Sequence, residues 1–389
     1  MSKRTLDAFF KPPPKRTKPD NTTSSTTTTN ENAPSRPQSP DSHPTYPHPI
    51  AKLPTHLEKS LLESTAPETN REGKIMNNQP DLDCVYYQPF IPRRIANELF
   101  RVLRAELPFY RVVYFAKRGG VDVQIKTPRF TTVFGVDEGC FFSDADAVDD
   151  GNGSVNGNAH ADAAAAAADT PSNSKSQYKT SPLTLRKRPT TTNTSNTIPK
   201  YTYPPRPIPS ILQSLKKAVE STTKETYNFV LVNYYATGED SIAFHSDDER
   251  FLGFEPAIAS LSLGGEREFL LKHKPVPAEV AATGSAGGGG GGAAGGTTIK
   301  LPLGSGDMIL MRGRTQANWL HSIPKRKGRG VAGVGGRINI TFRKAVVPAG
   351  TENYYHYNVG TGGVWGWDDV RREMVERGDG GGSENREPL

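Results

Sequence analysis

The sequence predicts an α+β chain that is mainly β, a double-stranded β-helix or jelly-roll with helices on its outside. Three observations carry that reading. Short apolar runs recur through the C-terminal half, among them NFVLVNYY, IASLSLGG, GDMILM and RINITFR, and the last alternates polar and apolar residues with a period of two. Two other stretches space their apolar residues at helical intervals. Two histidines and an aspartate stand near strand-like runs, in positions from which they can converge. Antiparallel strands enclosing a site, with helices outside, satisfy all three.

Along the chain, residues 1 to about 80 come first, rich in Pro, Ser, Thr and Asn and poor in large apolar groups. Such a segment buries too little surface to offset its chain entropy, so a disordered tail is expected. A folded domain is expected over about 81 to 345. Its first helix begins near Pro92 with Ile95, Leu99 and Leu103 on one face, and its second spans about Ser210 to Thr223 with Ile211, Leu215 and Val219. Two low-complexity stretches, about 144 to 198 and about 278 to 298, interrupt the pattern. Loop-closure entropy grows slowly with length, so insertions between strands are tolerated. Residues 346 to 389 form an extension in which Trp365 and Trp367 are placed to pack on the barrel, with no chemical role assigned.

His245 and Asp247 form an HxD pair, and His321 follows in NWLHSIP. In an extended strand alternate side chains share a face, so His245 and Asp247 point one way and Phe244 and Ser246 the other. Two imidazoles and one carboxylate are the ligand set of a non-haem iron site, which leaves positions open for a chelating co-substrate and dioxygen. A histidine near an acid in a surface loop reads the same when taken alone. The strand RINITFR adds weight, because Arg337, Asn339, Thr341 and Arg343 occupy one face and Ile338, Ile340 and Phe342 the other. A solvent-exposed sheet face is one explanation, and a lumen holding a small dianion is the other. At roughly 3.3 Å per residue the two arginines stand about 20 Å apart, and side chains leaning together leave room for a five-carbon diacid. Arginine suits the task because its planar fork binds a carboxylate bidentately and keeps its charge.

The runs NFVLVNYYATGEDSIAFHSDDER, IASLSLGGEREFLLKHK, NWLHSIP and RINITFR resemble the AlkB-type iron(II) and 2-oxoglutarate dioxygenases, in particular the eukaryotic branch that repairs alkylated DNA bases. The resemblance implies His245, Asp247 and His321 as iron ligands. It implies Arg337 for the distal carboxylate of 2-oxoglutarate, Arg343 nearer the metal end, and Asn233, Tyr235 and Asn339 as polar partners of the co-substrate. Taken alone, Tyr235 has a second reading as a core tyrosine and Asn233 as a strand-end residue. The implied reaction consumes 2-oxoglutarate and dioxygen, hydroxylates an N-methyl group, and releases formaldehyde, succinate and CO2. No side chain is needed as a general base; the cofactor does the oxidation and the protein supplies position and electrostatics.

An enzyme acting on a base inside a duplex must swing it out or take single-stranded substrate. By resemblance, Asp248 and Glu249 contact the exocyclic groups of the flipped base, and Arg129 with Tyr201 and Tyr203 belongs to the lid whose rings sandwich it. A solvated acidic turn and loop-packing tyrosines are the alternatives. RVVYFAKRGG occupies the place of the family's apolar wedge, with Tyr114 or Phe115 as the candidate, but the charged and glycine-containing residues after it depart from the pattern.

The formal net charge of +7 over 389 residues favours a polyanionic partner. Lys325, Arg326 and Lys327, with Lys117 and Arg118, are placed for backbone phosphates, which predicts salt-sensitive binding. With only Cys84 and Cys140, no disulfide framework or structural zinc site is indicated, and a reducing compartment fits. No signal peptide or membrane-length apolar stretch is present, so a soluble intracellular monomer is expected. Near the start, KRTLDAFF places Leu6, Phe9 and Phe10 at one-turn spacing and resembles the peptide by which repair proteins bind the replication sliding clamp, although Lys3 stands where glutamine is usual. KPPPKRTK reads as a basic nuclear-targeting patch. Together these predict a nuclear DNA demethylase. The alternatives are an RNA demethylase or protein hydroxylase with the same site, or a non-catalytic DNA- or clamp-binding adaptor.

Overall fold

The computed structural model describes residues 39–69, 72–144, 183–189, 197–275, 298–326, 335–360 and 362–377. Two antiparallel sheets organise them. The major sheet runs, in spatial order, Lys74–Met76, Cys84–Tyr87, Met308–Met311, Ile258–Gly264, Arg337–Arg343, Phe229–Tyr235, Phe130–Gly135, Phe109–Tyr110, Val364–Asp368 and Glu373–Arg377. The minor sheet runs Ile242–His245, Trp319–Ile323, Arg267–His273 and Ile299–Leu303. Val113–Arg118 with Val121–Lys126, and Cys140–Asp144 with Leu183–Lys187, form separate two-stranded hairpins.

The centre of the major sheet is covered on both faces. Ile338, Ile340 and Phe342 are fully buried in an apolar core shared with helix α2 (Arg93–Glu106) through Leu99, Phe100 and Leu103, and with helix α3 (Ser210–Thr223) through Ile211, Leu215 and Val219. Both helices occupy the predicted segments, and in each the apolar stripe faces the sheet. The opposite face joins the minor sheet in a second core that includes Leu231, Tyr235, Phe269, Leu271 and Ile323. Arg337, Asn339, Thr341 and Arg343 lie on that inner side, at 1%, 8%, 5% and 2% exposure, so the polar face of RINITFR is not a solvent face.

Three segments differ from the sequence-based expectation. The tail expected over residues 1 to about 80 contains a helix at Thr55–Ser64, and Ile50, Leu53, Leu57 and Leu61 enter the same core as α2 and α3. Those four residues recur at helical spacing, a local signal that composition averaged over eighty residues hides. Within the expected insertion at 144–198, Leu183–Lys187 pairs along its length with Cys140–Asp144. The extension after residue 345 also joins the fold. Glu352–Asn358 is helical, and Val364 and Trp365 pair with Tyr110 and Phe109, adding a strand to the major sheet. Trp365 and Trp367 pack on the core, as their aromatic character predicts. Among the described residues no helix is long and apolar enough to cross a membrane.

Leu61 is fully buried. Leu61→Ala is expected to lower the unfolding free energy by about 2–5 kcal/mol, the range for a leucine truncated in a packed core. Urea denaturation followed by circular dichroism checks it; an unchanged midpoint would mean that this N-terminal segment contributes nothing to the domain.

Candidate active site

His245 closes the strand Ile242–His245, and its direct partner across the ladder is His321, in the middle of Trp319–Ile323. The register shifts between Ile242 and His245, and the strand stops at His245, so Asp247 lies two residues beyond regular pairing rather than on the strand itself. The alternation still brings it inward. Candidate ligand atoms of His245, Asp247 and His321 all lie within 4.8 Å of one another. His245 Nε2 is 3.8 Å from Asp247 Oδ1, His321 Nε2 is 3.8 Å from Asp247 Oδ2, and the imidazole centroids are 4.2 Å apart.

Each of the three is oriented by its surroundings. His245 Nδ1 lies 2.9 Å from the carbonyl of Ala243, which suits the Nδ1-protonated tautomer and leaves the Nε2 lone pair for the cluster. The His321 ring stacks on Phe269 at 5.4 Å, and burial lowers its pKa to about 3, keeping the imidazole neutral. Asp247 is 2% exposed; burial pushes its carboxyl up, but the Arg343 guanidinium beside it outweighs this and holds it below the ordinary carboxylate range. Gln316 Oε1 accepts the Asp247 backbone N–H at 2.9 Å. Two imidazoles, that of His321 kept neutral by burial, and an ionised carboxylate, converging from one side, are the donor set of a facial triad and fit ferrous iron.

Arg337 and Arg343, from one face of one strand, are in opposite states. Arg343 Nη2 donates to Asp247 Oδ2 at 2.9 Å and Nη1 donates to the Tyr354 hydroxyl, and these partners raise its pKa despite burial. Arg337 Nη2 donates to Ser262 Oγ at 2.7 Å, whereas Nε and Nη1 are buried with no partner. Burial lowers its pKa to about 10, the direction expected of a guanidinium without a carboxylate beside it. A buried, half-satisfied fork fits a carboxylate of 2-oxoglutarate.

The remaining pocket residues share this face. Tyr235 is the cross-strand partner of Arg337, whose guanidinium lies 5.4 Å from its ring, and Asn233 is the partner of Asn339. Asn339 Nδ2 donates to Ser260 Oγ at 2.8 Å and to the Leu261 carbonyl at 3.1 Å. Arg129 Nε donates to Asn233 Oδ1 at 2.8 Å, which brings it to the side of the sheet that carries Asn339. Glu249 is held near Arg343 by the Tyr354 hydroxyl, which donates to Oε1 at 2.5 Å; burial, its largest influence, raises its pKa.

Other predicted residues stand apart from the ligand cluster. Asp248 is exposed and pairs with Lys274 at 2.8 Å. The Tyr201 hydroxyl faces Cys140 Sγ at 3.7 Å, and the Tyr203 ring meets His356 at 4.8 Å. Lys325 pairs with Glu239 at 3.3 Å, and Arg326 Nη1 donates to the Glu266 carbonyl at 2.7 Å. Lys117 is exposed on the hairpin Val113–Arg118, whose Tyr114, Phe115 and Arg118 side chains lie outside the described residues, as do Lys327, Leu6, Phe9 and Phe10.

Sequence reasoning missed Tyr354, Ser262, Gln316 and Arg267. Arg267 is 1% exposed, donates to the carbonyls of Asp240 (2.8 Å) and Pro324 (2.6 Å), and places its guanidinium 5.6 Å from the Tyr235 ring. Period two in GEREFLL puts Arg267 on the face of Phe269 and Leu271, and that signal was available. Nothing local marks Tyr354, because its partners come from elsewhere in the fold.

A model of the 2OG-Fe(II) oxygenase superfamily matches residues 153–343. The mouse alpha-ketoglutarate-dependent dioxygenase alkB homolog 3 is 38% identical over 133 residues, 34% of this chain and 42% of that protein. The human DNA oxidative demethylase ALKBH2 is 34% identical over 146 residues, 38% of this chain and 50% of that protein. The same-named Arabidopsis thaliana protein is 36% identical over 141 residues, 35% and 43% of the two chains. The matches thus span half or less of these curated relatives. A solved structure of OsALKBH1 is 16% identical with a TM-score of 0.35, covering 70% of this chain and 100% of that one, a likeness too weak to bear on the fold. Together with the ligand cluster, these matches make this part of the chain similar to the 2OG-Fe(II) oxygenase superfamily and to its alkB homologues.

Proposed function

We propose that this chain removes N-alkyl groups oxidatively from bases in DNA. The observation that carries the reading is a His245, Asp247 and His321 cluster within 4.8 Å, on the same interior as a buried arginine with two unpartnered N–H groups. In this reading the two sheets form a double-stranded β-helix, the three residues hold the iron, and Arg337 takes the distal carboxylate of 2-oxoglutarate. When bound, Fe(II) with 2-oxoglutarate and dioxygen supplies the oxidation of the N-alkyl carbon, which leaves as formaldehyde alongside succinate and CO2.

The chain's own residues position the reactants. Arg343 keeps Asp247 ionised and immobile. Arg337, with Asn233, Tyr235 and Asn339, orients the co-substrate from the opposite end of the strand. Glu249 and Arg129 border the space for the base, and Tyr201 and Tyr203 flank it from the segment that precedes α3. Two of these relatives are named DNA oxidative demethylases, which favours DNA as the substrate. The folded region takes in Ile50 to Leu61 and the strands through Arg377 as well as 81 to 345; Lys325, Arg326 and Lys327 are proposed to meet backbone phosphates, and the chain to act as a monomer. KRTLDAFF and KPPPKRTK, outside the described residues, are proposed to bind the sliding clamp and to direct the chain to the nucleus.

Formaldehyde release from methylated single-stranded DNA, duplex DNA and RNA, with iron and 2-oxoglutarate supplied, tests the reading. DNA is expected to be turned over and His245→Ala to abolish release. Turnover of RNA alone would move the substrate to RNA, and no release from any of them would favour a protein hydroxylase or a binding adaptor.

Arg337 gives a second expectation, in which stability and binding move in opposite directions. Each unsatisfied buried donor costs about 1–3 kcal/mol. Arg337→Met is therefore expected to raise the unfolding free energy of the ligand-free protein by about 1 kcal/mol or more, and to erase the further stabilisation that 2-oxoglutarate with Mn(II) gives the unsubstituted protein. Thermal denaturation with and without ligand reads both. A variant that is less stable and still responds to 2-oxoglutarate would show that Arg337 is not the anchor.

A further inference from the structure

Tyr354 lies on the helix Glu352–Asn358, beyond the strand that carries Arg337 and Arg343. Its ring is held edge-on by Phe229 at 5.6 Å and Phe251 at 5.1 Å, so the hydroxyl has one place to be. That hydroxyl donates to Glu249 Oε1 at 2.5 Å and accepts from Arg343 Nη1. Arg343 Nη2 in turn meets Asp247 Oδ2 at 2.9 Å. One phenol therefore joins the carboxylate of the metal cluster, through Arg343, to the carboxylate two residues downstream.

The free end of this chain points to a ligand. Glu249 Oε2 is buried and has no partner, while Oε1 is pinned by the phenol. A buried carboxylate oxygen left without a donor costs free energy until a donor arrives. The same helix also holds the segment bearing the lid tyrosines. Glu352 Oε1 accepts the backbone N–H groups of Thr202 (2.7 Å) and Tyr203 (3.2 Å), and His356 packs against Tyr203 at 4.8 Å. The Tyr355 hydroxyl accepts the Arg206 N–H at 2.8 Å and donates to the Gly135 carbonyl at 2.7 Å.

We propose that Tyr354 is a positioning residue that fixes Glu249 so that Oε2 receives an N–H donor from the substrate, making the C-terminal extension a determinant of specificity for amino-bearing bases. The inference rests on the demethylase reading for the identity of the substrate as a base. Geometrically, Glu352–Asn358 acts as a bracket between Glu249 and the Tyr201–Tyr203 segment. An alkylated base with an exocyclic amino group, such as N3-methylcytosine, offers the donor. N3-methylthymine offers a carbonyl oxygen at the same place, which a carboxylate oxygen repels.

The full chain, loaded with Mn(II) and 2-oxoglutarate so that no turnover occurs, is titrated with fluorescent single-stranded oligonucleotides carrying one N3-methylcytosine or one N3-methylthymine. The unsubstituted protein is expected to prefer N3-methylcytosine. Tyr354→Phe keeps the ring and its packing, and is expected to weaken N3-methylcytosine binding roughly ten-fold, as the loss of a hydrogen bond to a charged group predicts, with N3-methylthymine within about two-fold. In a Glu249→Gln background the same substitution is expected to change nothing further, because both act through one contact. Equal weakening of both oligonucleotides, an effect additive with Glu249→Gln, or no preference in the unsubstituted protein would each overturn the proposal. Absence of formaldehyde release with Fe(II) would defeat the demethylase reading alone, since the binding preference decides the role of Tyr354 without turnover.

Discussion

The buried ion pair between Asp247 and Arg343 is the contact on which the site's geometry depends. Asp247 follows the last strand-paired residue of the minor sheet's edge, Arg343 ends the central strand of the major sheet, and each side chain is only 3% exposed where they meet at 2.9 Å. Neither charge tolerates burial alone, so the two sheets hold them in register or lose both. Two consequences follow. Asp247 stays ionised beside a His321 that burial keeps neutral, and the edge strand of the minor sheet is tied to the central strand of the major sheet at the point where His245 and His321 face each other.

The strand Arg337–Arg343 performs two jobs because its two faces are unlike. Ile338, Ile340 and Phe342 seal the core against α2 and α3, and this fixes which way the arginines point. A slip of one residue would send both guanidinium groups into an apolar layer, so the hydrophobic pattern protects the site's register. Arg343 is then paired with a carboxylate inside the protein, while Arg337 is not. The unsatisfied donors of Arg337 are a local destabilisation of the kind that a carboxylate ligand would relieve, as expected where a rigid frame supports a binding site.

Much of this was legible in the sequence, and where it was not the reason is physical. Periodicity placed α3 on Ser210–Thr223 and sorted the faces of RINITFR, because both elements lie across a boundary between apolar and polar surroundings. The HxD spacing led to a converging trio, although the expected continuous strand breaks at His245 and Asp247 projects from the residues after it. The helix Thr55–Ser64 was obscured by the composition around it, and Leu183–Lys187 by the low-complexity residues on either side. Tyr354 had no local signal at all. Its hydroxyl bonds Arg343 and Glu249, eleven and 105 residues away, and contacts of that kind belong to tertiary structure rather than to pattern.

The places where the undescribed residues leave and re-enter the fold explain why the frame accommodates them. Residues 145–182 lie between Asp144 and Leu183, which are register partners at the end of one hairpin, and residues 276–297 lie between two strands of the minor sheet whose ladder includes Leu271 with Ile299. A third stretch, 327–334, departs after Arg326, whose N–H is fixed to the Gly238 carbonyl, and returns at Gly335, whose carbonyl accepts from Tyr234 and Arg104. Each exit and return is tied by backbone or side-chain hydrogen bonds to residues already in place. Because each doubling of loop length adds only about 0.6 kcal/mol of closure cost, these ties decide whether an insertion disturbs the core far more than its length does. The extension after residue 345 obeys the opposite logic: it enters the major sheet, and its Tyr354 bonds Arg343, the partner of Asp247, so this segment is part of the frame around the cluster.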